Sequence, residues 1–193
     1  MNRKALIAIT VAAVAVAAVV VGANITAHVP TASNGSPTQI ASPGTASLLP
    51  VKTNPIQNTS TQPGLSIENA AAEDNVDPST KQAIGDRLQI TLKNSSTKTL
   101  TGFEVFYTMT DATTHASESY YLPLTDLTLP AGATTTIYFD NEKGPHHYPE
   151  NRYSIYRSST NKVDFAIQVS AKDVAIAEGA ATKGAGTGEV VGG

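Results

Sequence analysis

Apolar and polar residues alternate along most of the chain between residues 65 and 170, and a period of two is typical of half-buried β-strands. The alternating segments are short, and turn-forming residues separate them about every ten residues. Pro123 interrupts one segment and predicts that it lies at a sheet edge. The pattern therefore predicts an all-β fold, a single antiparallel β-sandwich. The predicted strands are Leu65–Ile67, Leu88–Leu92, Phe103–Met109, Ser119–Leu124, Thr134–Phe139, Tyr153–Tyr156 and Val163–Val169.

Aromatic residues indicate where the core of this sandwich lies. All seven tyrosines and four phenylalanines fall between Phe103 and Phe165. Because large aromatic side chains dominate the burial of apolar surface, we expect the hydrophobic core to be centred on this stretch.

Cysteine content and charge exclude other classes of protein. The chain has no cysteine, so no disulfide can staple the fold, and the core alone must hold it together. Among exported proteins, a chain without cysteine is more typical of bacteria than of animals. The net charge is −3 and the cationic residues are scattered, which argues against a nucleic-acid partner.

The N-terminus has the pattern of an export segment. Arg3 and Lys4 precede Ala5–Ala23, nineteen residues with Thr10 as the only polar one. Cations ahead of an apolar run hold the N-terminus in the cytoplasm and send the following chain across the membrane. The run covers nearly 30 Å as a helix, enough for a membrane anchor, while small residues near its end suit signal peptidase. Residues 1–23 are therefore a signal peptide or an N-terminal anchor, and the rest is predicted to be extracytoplasmic.

Two segments flanking the predicted sandwich have the composition of unfolded chain. Residues 24–63 contain six prolines, twelve serines or threonines, and one charged residue, Lys52. Such a segment buries too little apolar surface to offset the entropy of ordering, so we predict a disordered linker that acts as a stalk. Residues 178–193 contain six glycines and predict a flexible tail. The sandwich domain is thereby assigned to residues 64–177.

Three turn motifs follow one another between Leu88 and Phe139. They are Asn94-Ser95-Ser96, the strand end at Asp111, and Leu127-Thr128-Leu129-Pro130-Ala131-Gly132. With these motifs the stretch resembles the immunoglobulin-like modules of bacterial envelope proteins, particularly the FxLYD type. The resemblance implies an immunoglobulin-like sandwich that serves as an accessory or binding module, and it carries over no catalytic residue.

The polar loop that begins at Asp140 is the predicted binding surface. Loops on a rigid sandwich commonly carry binding residues, and tyrosine offers a large contact area at low entropy cost. The predicted ligand-binding residues are His146, His147, Tyr148 and Arg152. The alternative is that Tyr148, Tyr153 and Tyr156 pack beneath the loop and cap the end of the sandwich, one version of which is a tyrosine corner.

Metal binding is a second possibility for the same region. Adjacent residues of an extended chain point to opposite sides, so His146 and His147 are poorly placed to bind one ion together. A zinc or copper site would need His115 or a carboxylate from elsewhere. Loop oxygens that suit calcium come from Asp74, Asp77, Asp140, Asn141 and Glu142, although the Asp-x-Asp-x-Asp-Gly spacing is missing. The favoured prediction therefore has no metal and no cofactor.

Catalytic motifs give no support for an enzyme. The chain has neither a Gly-x-Ser-x-Gly elbow nor a cysteine nucleophile, and no glycine loop precedes a helix as in phosphate-binding sites. We predict a non-enzymatic envelope module on a flexible stalk, whose partner is a protein, a glycan or a cell-wall component. Residues 5–23 would contact the membrane if they are not cleaved. The alternative function is a metal-dependent extracellular binding protein that uses calcium or a transition metal.

Overall fold

The computed structural model of this protein describes residues 48–81, 84–186 and 188. The predicted export segment and residues 24–47 of the predicted linker lie outside this range. Within it, no helix is long and apolar enough to cross a membrane. The elements in chain order are β1 (Leu65–Ala72), β2 (Leu88–Asn94), β3 (Phe103–Asp111), β4 (Ser117–Leu124), β5 (Thr134–Phe139), β6 (His147–Tyr148), α1 (Ile155–Ser158), β7 (Val163–Ser170) and β8 (Ala177–Lys183).

The strands form two four-stranded sheets, in the orders β1-β2-β5-β6 and β4-β3-β7-β8. All pairings are antiparallel except that of β6, which runs parallel to β5. The predicted all-β class is confirmed. β4 lies at a sheet edge, as Pro123 predicts, because proline has no amide hydrogen to donate to a further strand.

The core lies between the two sheets and is rich in aromatic residues. Buried and partly exposed residues alternate without interruption along β2 and β3, which is the period of two seen in the sequence. Tyr107 occupies the centre, with its ring 5.5 Å from that of Tyr120, 5.4 Å from Phe139 and 6.5 Å from Phe165. The predicted position of the core is therefore confirmed, and the molecule is a β-sandwich in outline.

Residues 48–63 lie against the sandwich, so this part of the predicted disordered linker is wrong. The amide of Val51 donates to the carbonyl of Ser119 on β4 (2.8 Å). Asn58 Nδ2 donates to Ser170 Oγ (3.0 Å), to Ala171 O (3.1 Å) and to Val174 O (2.8 Å). Polar side chains and backbone hydrogen bonds hold this segment in place, and neither depends on buried apolar surface.

The first part of the predicted tail is a strand, which corrects the boundary at residue 178. β8 pairs with β7 from Ala177 opposite Val169 to Lys183 opposite Val163. Its alanines and glycine give no apolar periodicity, yet their small size lets β8 pack closely on β1. A Cβ atom on Gly179 would stand 3.0 Å from the Ile67 side chain.

The predicted strand Tyr153–Tyr156 is also wrong, since the chain there enters α1, a single helical turn. The carbonyl of Ser154 accepts hydrogen bonds from the amides of Arg157 (3.1 Å) and Ser158 (3.0 Å), which closes the turn. The turn directs Tyr156 into the core, where its ring meets Phe165 edge-on at 5.2 Å. Large residues at alternate positions mimic a strand pattern when the segment is this short.

Candidate functional site

Two segments and the short strand β6 between them lie at one end of the sandwich and contain the predicted binding residues. The chain leaves β5 at Asp140, makes the β5–β6 loop (residues 140–146), and returns in β6 beside Tyr138 and Phe139. Because β6 is parallel to β5, it leaves the sheet at the same end, into the β6–α1 turn (residues 149–154). Positive φ angles at Asn141 (62°), Gly144 (137°) and His146 (68°) let the chain circle back within seven residues and re-enter the sheet in the direction of β5.

Hydrogen bonds fix the backbone of the β5–β6 loop to both strands. The amides of Asp140 and Asn141 both donate to the carbonyl of Tyr148, at 3.2 and 3.3 Å, and Tyr138 N donates to His146 O at 2.9 Å. Asn141 and Glu150 also bond each other, through Glu150 N to Asn141 Oδ1 at 3.0 Å. The loop and the turn after β6 are therefore one connected structure.

His147 lies next to two carboxylates in this loop. Its Nδ1 is 2.9 Å from Asp140 Oδ2, 3.1 Å from Asp140 Oδ1, and 3.9 Å from Glu142 Oε2. The side chain of Asp140 is only 4% exposed, whereas that of Glu142 is 63% exposed. One ligand atom from each of the three residues lies within 4.8 Å of the other two. This arrangement has the donor set of a metal site.

The ring of His147 is held by a row of side chains on the outer face of the sheet. It stacks on Tyr138 with ring centroids 5.0 Å apart and an interplanar angle of 19°. The guanidinium of Arg87 lies 4.9 Å from the centroid of the same tyrosine, and Arg87 Nε bonds Glu73 Oε1 at 3.2 Å. Sequence reasoning missed Arg87 and Tyr138. The signal was present for Tyr138, a large aromatic residue at an outward-facing position of β5.

The four predicted binding residues differ in their environments. His146 Nδ1 lies 3.1 Å from Thr135 Oγ1 and is outside the carboxylate cluster, so the two histidines have separate partners as the sequence geometry predicts. Tyr148 is 6% exposed, and its hydroxyl donates to Asp126 Oδ1 at 3.2 Å. Arg152 is exposed and makes no hydrogen bond or ion pair among the described residues. The structure therefore brings His147 and Arg152 to the surface but places Tyr148 in the core.

Two of the three loop tyrosines cap the end of the sandwich. Tyr148 packs on Phe139 with ring centroids 5.9 Å apart, and the hydroxyl of Tyr156 donates to Glu73 O at 2.8 Å. Burial raises the pKa of both phenols well above their usual range. Tyr153 is 70% exposed and takes no part in the cap. The capping alternative thus describes Tyr148 and Tyr156, while Tyr153 is available at the surface.

A buried ion pair supports the site from below. Arg157 Nη2 donates to Glu150 Oε1, and the two side chains are 6% and 4% exposed. Asn141 Nδ2 also approaches Glu150 Oε1 at 3.5 Å, which links the pair to the β5–β6 loop. Because breaking a buried pair leaves an uncompensated charge, removing either residue should destabilise this end of the sandwich. Neither residue had a sequence signal, since Glu150 lies in the β6–α1 turn and Arg157 in α1.

The other candidate metal ligands do not join the cluster. In the part of the chain that the structure describes, the metal-ligating group contains neither His115 nor Asp74 nor Asp77. Asp77 instead closes a turn, where hydrogen bonds, first from the Ser79 hydroxyl and then from the Thr80 amide, lower its pKa to about 2. The oxygen ligands considered for calcium are therefore spread over two separate places.

Comparison with known proteins gives no family for this chain. No protein-family model matches it, and no curated protein sequence matches it either. The fold and the site define a β-sandwich with a polar loop region at one end, held in place by hydrogen bonds.

Proposed function

We propose that this protein is an exported, non-enzymatic binding module of the cell envelope. It would be secreted or held at the outer side of the cytoplasmic membrane, and its partner would be a protein, a glycan or a cell-wall component. The cations Arg3 and Lys4 ahead of the apolar residues 5–23 support export. The partner would bind the end of the sandwich formed by the β5–β6 loop and the β6–α1 turn.

The exposed pair Arg152 and Tyr153 is the observation that carries this proposal. Tyr153 is 70% exposed, although most tyrosines of the sandwich are buried or half-buried, and Arg152 beside it is also exposed. Arginine and tyrosine are enriched among residues that dominate binding energy at interfaces. A tyrosine ring left in water next to an available guanidinium is well suited to contact a planar, polar or anionic group on a partner.

The backbone beneath these two side chains is already in place before binding. Asn151 Oδ1 accepts from the amide of Tyr153 (2.9 Å), and Asn151 Nδ2 donates to the hydroxyl of Tyr120 (3.1 Å). The buried Glu150–Arg157 pair anchors the same turn. A surface that is ordered in advance loses less entropy when a partner binds, which favours a binding role.

The finer fold type is proposed as immunoglobulin-like. The hydrogen-bonded orders β1-β2-β5 and β4-β3-β7-β8 correspond to strands A-B-E and C′-C-F-G of that fold. The parallel strand β6 is a departure from it. The turn residues that carry the FxLYD resemblance have structural roles that support this proposal. Asn94 bonds its own turn, Asp111 closes the next one, and Gly132 has a φ of +72°.

Binding assays with paired variants test the proposed surface. The variant Arg152→Ala/Tyr153→Ala removes both exposed side chains, whereas Thr97→Ala/Lys98→Ala changes an exposed turn at the opposite end of the sandwich. We expect the first variant to lose at least about tenfold in affinity for isolated cell walls or membranes that bind the unchanged protein, about 1.4 kcal/mol. The control should bind like the unchanged protein. Equal affinity of both variants would contradict the proposal.

A metal-dependent binding protein is the alternative function, and the convergence of Asp140, Glu142 and His147 favours it. In that case an ion would order the loop that the partner contacts. A chelator should then lower both the melting temperature and the affinity for the partner, because a ligand that binds only the folded state stabilises it. Unchanged affinity after chelation would leave the metal-independent module as the function.

A further inference from the structure

We infer that Asp140, Glu142 and His147 form a binding site for a divalent transition-metal ion such as Zn²⁺. The inference deepens the metal-dependent alternative by naming the ligands and the class of metal, and it rests on the same loop. It does not require that the loop also binds a macromolecular partner. The site combines a nearly buried carboxylate, an exposed carboxylate and an oriented imidazole within eight consecutive residues.

The distances between the ligand atoms suit an ion of this size. Zinc binds imidazole nitrogen and carboxylate oxygen at about 2.0–2.2 Å, so a tetrahedral arrangement places ligand atoms about 3.4 Å apart. His147 Nδ1 lies 2.9 Å from Asp140 Oδ2 and 3.9 Å from Glu142 Oε2, on either side of that value. Each of these two separations differs from that value by about half an ångström. The exposed Glu142 side chain can move towards the other two ligands, because its ligand oxygen lies within 4.8 Å of both.

The donor set favours a transition metal over calcium. Calcium takes six to eight oxygen ligands, whereas this cluster offers two carboxylates and one nitrogen. Imidazole nitrogen suits zinc, copper, nickel and iron, and carboxylates complete many such sites. Three protein ligands leave a fourth position for water or for a group on a bound molecule.

The imidazole of His147 is held in the orientation that the ion requires. Its backbone pairs with Tyr138 in the β5–β6 ladder, and its ring stacks on the Tyr138 ring at 5.0 Å. Together these contacts direct Nδ1 towards both carboxylates. In the bound state Nδ1 would ligate the ion through its lone pair, and the neutral ring would carry its single proton at Nε2.

The charge of the cluster also favours a cation. Two carboxylates face one imidazole, and the Asp140 side chain, at 4% exposed, is largely removed from water. Asp140 already bonds His147 Nδ1 at 2.9 Å, but a single imidazole faces both carboxylates. A divalent cation between Asp140 and Glu142 would balance more of their negative charge and so stabilise the loop. The folded protein should therefore become more stable when the ion binds.

Titration of the full-length protein with Zn²⁺ tests the inference directly. Calorimetry in chelator-free buffer should show one ion per chain, and Co²⁺ should give visible absorption bands with nitrogen and oxygen ligation. His147→Ala should lower the affinity at least about tenfold, since changes to even the supporting groups of metal sites cost about 10–100-fold. Glu142→Gln should also lower it, and its exposed position makes misfolding a poor explanation for the loss. Excess Ca²⁺ should not displace the bound ion.

The matched control is His146→Ala, the neighbouring histidine whose Nδ1 lies near Thr135. It should bind Zn²⁺ like the unchanged protein. The inference is overturned if no saturable binding occurs up to about 1 mM, a free energy of about −4 kcal/mol. It is equally overturned if His146→Ala and His147→Ala lose the same affinity, or if Ca²⁺ competes on equal terms. Because the titration uses the protein alone, its failure is distinct from a failure to bind an envelope partner.

Discussion

At the scale of single residues, two polar side chains close the turns that connect the strands. Asn94 is 0% exposed, and its Nδ2 donates to the carbonyls of Lys98 (2.8 Å), Leu129 (2.9 Å) and Pro130 (3.0 Å). Its Oδ1 accepts from the amide of Ser96 at 2.9 Å. Every polar atom of the side chain is thus satisfied, as a buried amide requires.

Replacing Asn94 by Asp keeps the shape but reverses the hydrogen bonding at one atom. The new carboxylate would face three carbonyl oxygens without a proton to donate, so we expect a loss of about 3 kcal/mol or more in the free energy of unfolding at pH 7. Urea unfolding followed by circular dichroism measures this loss. Asn69→Asp, at an exposed position of β1, is the control and should change stability by less than about 0.5 kcal/mol. Similar losses in both variants would show that Asn94 does not hold the turn.

Asp111 should make the free energy of unfolding fall at low pH. Hydrogen bonds, first from the Ser159 hydroxyl and then from the Thr114 amide, hold the pKa of Asp111 well below its usual range. Because the folded pKa is lowered, the stabilisation is fully present above the unfolded value of about 4 and is lost as the pH falls towards the folded value. The stability difference between the unchanged protein and Asp111→Asn should therefore be largest at neutral pH and should shrink below about pH 4. Urea midpoints at pH 7 and pH 3 measure it, and a difference independent of pH would contradict this account.

At the scale of elements, the strands that sequence predicts and those it misses differ in side-chain size. β2, β3 and β7 bury a residue, mostly a large one, at every second position, and β5 does so in its second half, so their alternation is visible in the sequence. β8 has the sequence AEGAATK, in which small residues conceal the buried face. β8 is held by its hydrogen-bonded ladder with β7 and by its close packing on β1, and neither contact leaves a pattern in the sequence of β8.

Gly179→Val tests that β8 is part of the sandwich. A Cβ atom at this position would already stand 3.0 Å from Ile67, so the added methyl groups should force the two sheets apart and cost about 1–3 kcal/mol of stability. Ala180→Val, one residue away on the exposed face, introduces the same side chain and should have little effect. Thermal unfolding of the two variants compares them. Equal melting temperatures would mean that β8 does not pack on β1.

Much of the candidate site was also visible from sequence, but its internal arrangement was not. The polar composition after Asp140 marks the loop, because binding residues concentrate in loops on rigid scaffolds. Which side chains meet depends on the parallel pairing of β6 with β5, which brings His147 beside Tyr138. A two-residue strand leaves no period in the sequence, so the pairing of His147 with Asp140 could not be predicted. The choice between surface and cap for Tyr148 depends on the same short strand, whose alternation places this side chain inward.

At the scale of the whole molecule, the sandwich has two well-separated ends. β2 begins at Leu88, opposite Phe139 and next to the β5–β6 loop, and ends at Asn94, where the turn of residues 95–99 follows. Six steps along a strand at about 3.4 Å each separate the two ends by about 20 Å. A partner that recognises one end would leave the other exposed to solvent, so the two ends provide a built-in comparison.

Site-specific crosslinking in intact cells tests most directly whether the loop end meets an envelope partner. A photoreactive residue would replace Arg152 at the loop end or Thr97 at the far end, both of which are exposed. The account predicts a discrete crosslinked envelope component from position 152 and none from position 97, with the domain of both variants accessible to protease added outside the cells. Equal crosslinking from the two positions, or a domain reached by protease only after lysis, would contradict it.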